Sequence, residues 1–191
     1  MDIQQLLQGY GHEVKQIISD PLDDLEIKQL LKSNVKIIRY NELKKYKSIN
    51  ELLPKAFDYC FLLYLEEEYK GHWVGLVRRE NIIYYFCSYG SKVDEPLSWV
   101  NCETREKLGV AKPYLSELFN ASDFTIYYNP VKYQNIRDDY NTCGRYIVLL
   151  IQRFRKDEKY NLQKYYQYLT ELKHKFNLSY DQIVSTLVNF E

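Results

Sequence analysis

The chain has 191 residues, 46% of them hydrophobic, enough to bury a substantial core. It reads as one domain over 1–191, with a core at about 19–156 and a helical C-terminal extension over 157–191. Lys and Arg number 26 and Asp and Glu 26, so no global field draws the chain to nucleic acid or to an anionic membrane.

The opening MDIQQLLQGYGHEV has no basic segment leading an apolar one, and no apolar run approaches the roughly 18 residues of a membrane span. The expectation is a protein neither exported nor membrane-embedded. Ser19, Asp20 and Pro21 read as a helix start, Pro being favoured in the first turn, and Leu22 to Leu31 continues with helical periodicity. Val35 to Tyr40 reads as a short strand. Asn41 then caps a helix running through Leu43, Tyr46, Ile49 and Leu52 toward Pro54.

FDYCFLLYL, from Phe57 to Leu65, has the length and bulk of a buried strand, broken by Glu66, Glu67 and Glu68. His72 to Val77 and Ile82 to Phe86 form an antiparallel hairpin joined through Arg78, Arg79, Glu80 and Asn81. Ser88, Tyr89 and Gly90 end its second strand. Pro113 to Phe119 reads as a helix, and Phe124 to Asn129 as a strand closed by Pro130. TCGRYIVLLIQRF is apolar nearly all round from Tyr146 to Ile151, which marks a central buried helix. Two further helices follow, Tyr160 to Phe176 and Tyr180 to Phe190, the second opened by Ser179 with Gln182 in a capping-box relation.

Cys60, Cys87, Cys102 and Cys143 lie far apart with no C-x-x-C pair, poor spacing for a structural zinc site, so neither a metal nor another cofactor is expected. Without an export signal the thiols are expected to be free. Cys143 stands where a helix N-terminus presents unpaired N–H groups and positive dipole charge, which favour a thiolate. With His72 at a strand start, the two read as nucleophile and base. Asp138 and Asp139 read as solvated loop charges, and His12 and His174 as surface residues.

Chain order narrows the choice, because papain-like enzymes place the Cys before the His, whereas here His72 comes first. The pattern GHWVGLV, a hairpin to YYFCSYG, then KYQ, then TCGRYIVLLI resembles the adenovirus-type (adenain-like) maturation proteases and the related ubiquitin-like-protein proteases. The likeness covers roughly Ile37 to Phe154; the tail from Asp157 lies outside it and reads as a variable addition. It implies an α+β fold: a small central mixed or antiparallel sheet packed against a buried helix that starts at the nucleophile, with flanking helices, the papain-like superfold in permuted order. It also implies His72 as general base, Cys143 as nucleophile, Gln134 as an oxyanion-hole amide, and Trp73 and Gly144 lining the substrate path. Gly144 lets substrate approach the helix end without a Cβ clash.

One departure stands out. Where that family has an Asp or Glu to orient the histidine, this chain has Cys87, and a neutral thiol is a poor acceptor. Ser88, Asp94 or a backbone carbonyl are the other groups that could orient His72.

The function implied is a cysteine endopeptidase that cleaves viral capsid or core precursors at small residues, commonly Gly. Its substrate partner is a protein, an activating peptide is allowed for, and it would work in the virion and the infected-host cytoplasm. Twenty Tyr with abundant Lys, Asn and Ile point to AT-rich coding, which fits some viral genomes. The alternatives are a processing protease or isopeptidase for a ubiquitin-like modifier, and a non-catalytic virion structural or binding protein with the same fold.

Overall fold

The computed structural model describes residues 13–33, 35–55, 58–68, 70–137 and 139–189. In chain order its elements are α1 (Glu13–Ser19), α2 (Asp24–Leu31), β1 (Lys36–Arg39), a 3-10 turn (Tyr40–Lys45), α3 (Ile49–Leu52), β2 (Tyr59–Leu65), β3 (Gly71–Arg79) and β4 (Ile82–Phe86). A second 3-10 turn (Glu95–Trp99), α4 (Cys102–Leu108), α5 (Tyr114–Asn120), β5 (Thr125–Tyr128), α6 (Cys143–Lys156), α7 (Leu162–Phe176) and α8 (Tyr180–Leu187) follow. The fold is α+β, and the chain divides into two compact units, Val35–Pro130 and Met1–Asn34 with Val131–Glu191.

Among the described residues the five strands belong to the first unit, in one mixed sheet whose spatial order follows chain order, β1-β2-β3-β4-β5. β1 and β4 pair in parallel with β2 and β5 respectively, while β2–β3 and β3–β4 are antiparallel. A parallel pair needs a crossover to bring the chain back to the same end. The first 3-10 turn with α3 supplies one, and α4 with α5 the other. YCFLLYL is buried on both faces, as its unbroken apolar run predicts, although Phe57 lies outside the described residues. β5 is a solvent-facing edge, with Tyr127 and Tyr128 exposed.

The helix expected from Asn41 to Pro54 is two pieces. Ser48 accepts the Glu51 N–H at 3.3 Å and so starts a new helix, while Asn41 donates to the Leu108 carbonyl at 3.1 Å and caps nothing. Gly71 is sterically obligatory, because a Cβ there would lie 1.8 Å from the Tyr64 carbonyl oxygen. That close approach sets the end of the β2–β3 ladder, where Leu65 pairs with Gly71 and, next to it, Tyr64 with His72.

In the second unit α6 is the core element. Every residue from Cys143 to Ile151 is buried, as is Phe154. α2 and α8 pack on it, and α8 also touches α1 and α7. The expected start at Pro21 is displaced: Asp23 accepts the Leu25 and Glu26 N–H groups at 2.8 Å, and Glu26 reciprocates to the Asp23 N–H at 2.9 Å. A carboxylate with a reciprocal partner makes the stronger cap, so Ser19 ends α1 instead of opening α2. The Ser179–Gln182 box opens α8, which ends at Leu187; Phe190 is outside the described residues. α7 starts at Leu162, two residues after Tyr160, because Asn161 accepts the Lys164 N–H at 2.9 Å. The segment 157–191 thus contributes helices to the compact unit that carries Cys143.

Candidate functional site

The strand-start position of His72 buries its ring to 4% exposure. Alternation along β3 puts His72 and Trp73 on opposite faces, and Trp73 meets Phe61 edge-on at 6.0 Å. The rings flanking the imidazole are Tyr89, stacked at 4.7 Å, and Trp99, edge-on at 5.3 Å. Trp99, 42% exposed, also faces solvent.

Nε2 of His72 lies 3.3 Å from Cys87 Sγ, so the residue in the carboxylate's place is the ring's neighbour. Asp94 is not available for that role. Its Oδ1 accepts from Tyr40 at 2.7 Å and Tyr64 at 2.8 Å, and its Oδ2 from the Ser116 N–H at 2.8 Å. The Cys87 carbonyl accepts from the Gly90 N–H at 2.9 Å and Asn129 Nδ2 at 2.8 Å, which fixes the turn, with Gly90 at φ 73°. Burial pushes the Cys87 thiol up, and the N–H groups of Ser91 and Tyr89 with the Ser91 hydroxyl pull it partly back. The sulfur thus sits among donors that suit a negative group.

Burial alone pushes the His72 imidazole down to about 3, so the ring is neutral at pH 7. A histidine with a folded-state pKa below its unfolded value supports the fold above about pH 6.5 and loses that support as the pH falls toward 3. Between pH 7 and 5 the loss is about 2 kcal/mol, which is about 4–8 °C in Tm for a chain of this size. Asp181, raised by burial, acts with the opposite sign, but equally in wild type and variant. His72→Phe should therefore show a Tm decrease between pH 7 and 5 that is smaller by that amount, measured by calorimetry. Equal decreases would mean that the ring is charged in the folded protein.

Cys143 is the first residue of α6 and is 7% exposed. The residue before it, Thr142, does not cap the helix with its side chain. Its hydroxyl donates instead to Asp181 Oδ1 at 2.6 Å, so the first-turn N–H groups of α6 keep no hydroxyl cap from Thr142. Asn141 ties the approach to this turn down, through its N–H to the Ile18 carbonyl at 2.8 Å and its Nδ2 to Ser19 at 2.7 Å. Gly144 follows Cys143 inside the buried helix start. Arg145, buried, donates to the Asp20 carbonyl at 2.6 Å; burial lowers its pKa, and the charges of Glu26, Asp20 and, least, Cys143 oppose that. A guanidinium so placed favours a thiolate.

Gln134 is 2% exposed, and its Nε2 donates to the Tyr140 carbonyl at 2.8 Å. This bond fixes the orientation of the amide. On the expectation that Gln134 is an oxyanion donor, Gln134→Ala should lower kcat by about 10²–10³ with little change in KM, the usual loss when one such donor is removed. Full kcat in that variant would remove Gln134 from the chemistry.

Elsewhere, Asp139 and His174 are exposed, and Asp138 and His12 lie outside the described residues. The four cysteines are free thiols. Among the described residues no group of three or more His, Cys, Asp or Glu side chains is placed to hold a metal ion, and no helix is long and apolar enough to cross a membrane.

Over 176 residues, 92% of this chain and 98% of the relative, the sequence is 30% identical to "Uncharacterized protein V9" of Sputnik virophage. The chain belongs to the V9 family. No protein-family model matches it. The aligned region leaves fewer residues of this V9-family chain unmatched than 157–191 contains, so the C-terminal helices are at least in part shared with the virophage protein. Two residues important to the geometry were invisible in the sequence. Asp181 is a first-turn acid of α8, a common place for a carboxylate, and Trp99 is an aromatic in a polar stretch, whose one signal is the cost of exposing it.

Proposed function

We propose that this chain is a cysteine endopeptidase of the adenain-like kind, on a papain-like superfold with the histidine first in the sequence, which cuts capsid or core precursors during virion assembly. The observation that carries the reading is the start of α6: a buried Cys143 at N-terminal N–H groups that Thr142 does not cap, with a guanidinium close by and the Gln134 amide oriented in the preceding loop. The kinship with a virophage protein supports a viral setting.

In the proposed reaction His72, neutral at rest, takes the Cys143 proton as sulfur attacks the scissile carbonyl carbon. Gln134 and the Cys143 N–H stabilise the oxyanion. The imidazolium then protonates the leaving amine, and the C–N bond breaks to leave a thioester. Water, deprotonated by His72, attacks that thioester, releasing the carboxylate product and the thiol. The chemistry requires the two side chains to meet, which an experiment can read directly. A peptidyl electrophile with Gly next to the warhead should label Cys143 and no other thiol, and purified virion precursors incubated with the protein should gain new termini after small residues. Labelling spread over several cysteines without new termini would overturn the proposal in favour of a non-catalytic virion protein, the reading that the neutral Cys87–His72 contact favours.

A further inference from the structure

Asp181 stands on α8, in the C-terminal segment, and is 1% exposed. Its Oδ1 accepts the Thr142 hydroxyl at 2.6 Å and the Tyr146 hydroxyl at 3.1 Å; its Oδ2 accepts the Asn135 N–H at 3.1 Å. Thr142 immediately precedes Cys143, and Asn135 immediately follows Gln134. One carboxylate therefore grips both ends of the loop that separates the amide from the thiol. Tyr133, at the other side of Gln134, is packed edge-on against Tyr180, the neighbour of Asp181, at 5.2 Å.

We infer that Asp181 is a positioning residue, fixing the spacing between the Gln134 amide and the Cys143 sulfur, and that the C-terminal helices are thereby part of the catalytic apparatus. The inference rests on the endopeptidase reading. Its physical basis is that a buried carboxylate is retained only where donors satisfy it, and here hydroxyl and amide donors do so on both oxygens. Burial raises its pKa while Thr142, Asn135 and Tyr146 lower it. By drawing the Thr142 hydroxyl away from α6, the same contact takes that hydroxyl off the first-turn N–H groups on which the Cys143 chemistry depends.

Asn at this position keeps the shape, but once its single oxygen takes the Asn135 N–H, the Thr142 and Tyr146 hydroxyls must turn from donors into acceptors of its NH₂, and the charge that strengthened all three bonds is lost. Displacement of an oriented catalytic group by about 1 Å costs about 10² in rate. Asp181→Asn should therefore lower kcat about 10²-fold with KM within about threefold. Hydrogen exchange in peptides covering 131–142 should quicken at least tenfold, while the α6 core at 146–154 exchanges as in wild type. Asp181→Ala should show the same pattern with a lower Tm. Unchanged exchange at 131–142 in Asp181→Asn, or equal acceleration in the α6 core, overturns the inference, since the carboxylate would then be idle or merely structural. A wild-type protein with no peptidase activity overturns the endopeptidase reading and with it the catalytic consequence; this is recognisable because the exchange difference at 131–142 persists.

Discussion

Cys143→Ala and His72→Ala are each expected to abolish measurable cleavage of a peptide or precursor that the wild-type protein cuts, a loss of at least about 10⁴ in kcat. Alanine at 143 leaves no nucleophile, so no thioester can form, and what remains of binding and oxyanion stabilisation accelerates only attack by water. Loss of His72 leaves the thiol but removes the group that accepts its proton and protonates the leaving amine. The two variants should therefore differ in alkylation: Cys143→Ala loses the reactive thiol, while in His72→Ala iodoacetamide still labels Cys143, more slowly than in wild type. Both should keep the far-UV spectrum. Alanine is the best helix former at the start of α6, and the cavity left by the imidazole is confined to one end of β3. Turnover retained in either variant would sink the dyad.

The sheet was legible where pattern was strong. The unbroken apolar run of β2, the hairpin of β3 and β4 and the all-round apolar α6 are each dictated by local periodicity, and they stand where the sequence puts them. The helix starts that moved did so through side-chain competition that periodicity does not encode: Asp23 with Glu26 outbids Pro21, and Ser48 divides one expected helix into two. At the candidate site the same limit applies. His72 and Cys143 could be named because each carries distinctive chemistry at a distinctive place, and Gln134 and Cys87 only because the resemblance expects an amide at the one and a carboxylate at the other. Tyr89 and Trp99 around His72, and Asp181 beneath Thr142, act through contacts between residues 17 to 39 positions apart or more, and no short motif records those. The orientation of β3 that puts Trp73 and His72 on opposite faces was implicit in simple alternation.

Replacement of Cys87 by Asp is expected to raise kcat/KM at neutral pH about tenfold or more, the second large effect. In the native protein the neighbour of Nε2 is a thiol, and burial holds the ring near a pKa of about 3. The sulfur already receives the N–H groups of Tyr89 and Ser91 and the Ser91 hydroxyl, so it offers the imidazole little as an acceptor. An Asp oxygen extends further from Cβ than sulfur does, closing the 3.3 Å contact toward the roughly 2.7–2.9 Å of a charge-assisted hydrogen bond. The donors from Tyr89 and Ser91 would satisfy the second oxygen. Such a carboxylate holds the proton on Nε2, leaving Nδ1 basic, and stabilises the imidazolium once it forms. The pKa of His72 should rise into the ordinary histidine range, which pH titration by NMR of the ring would read, and the acid limb of the kcat/KM profile should move with it. Cys87→Ala removes only the weak contact and should cost much less than His72→Ala, on the order of tenfold or below. A collapse in Cys87→Ala as complete as in Cys143→Ala would give Cys87 a chemical role of its own, and the two-residue mechanism would have to be replaced by one that passes a proton or an acyl group through that sulfur.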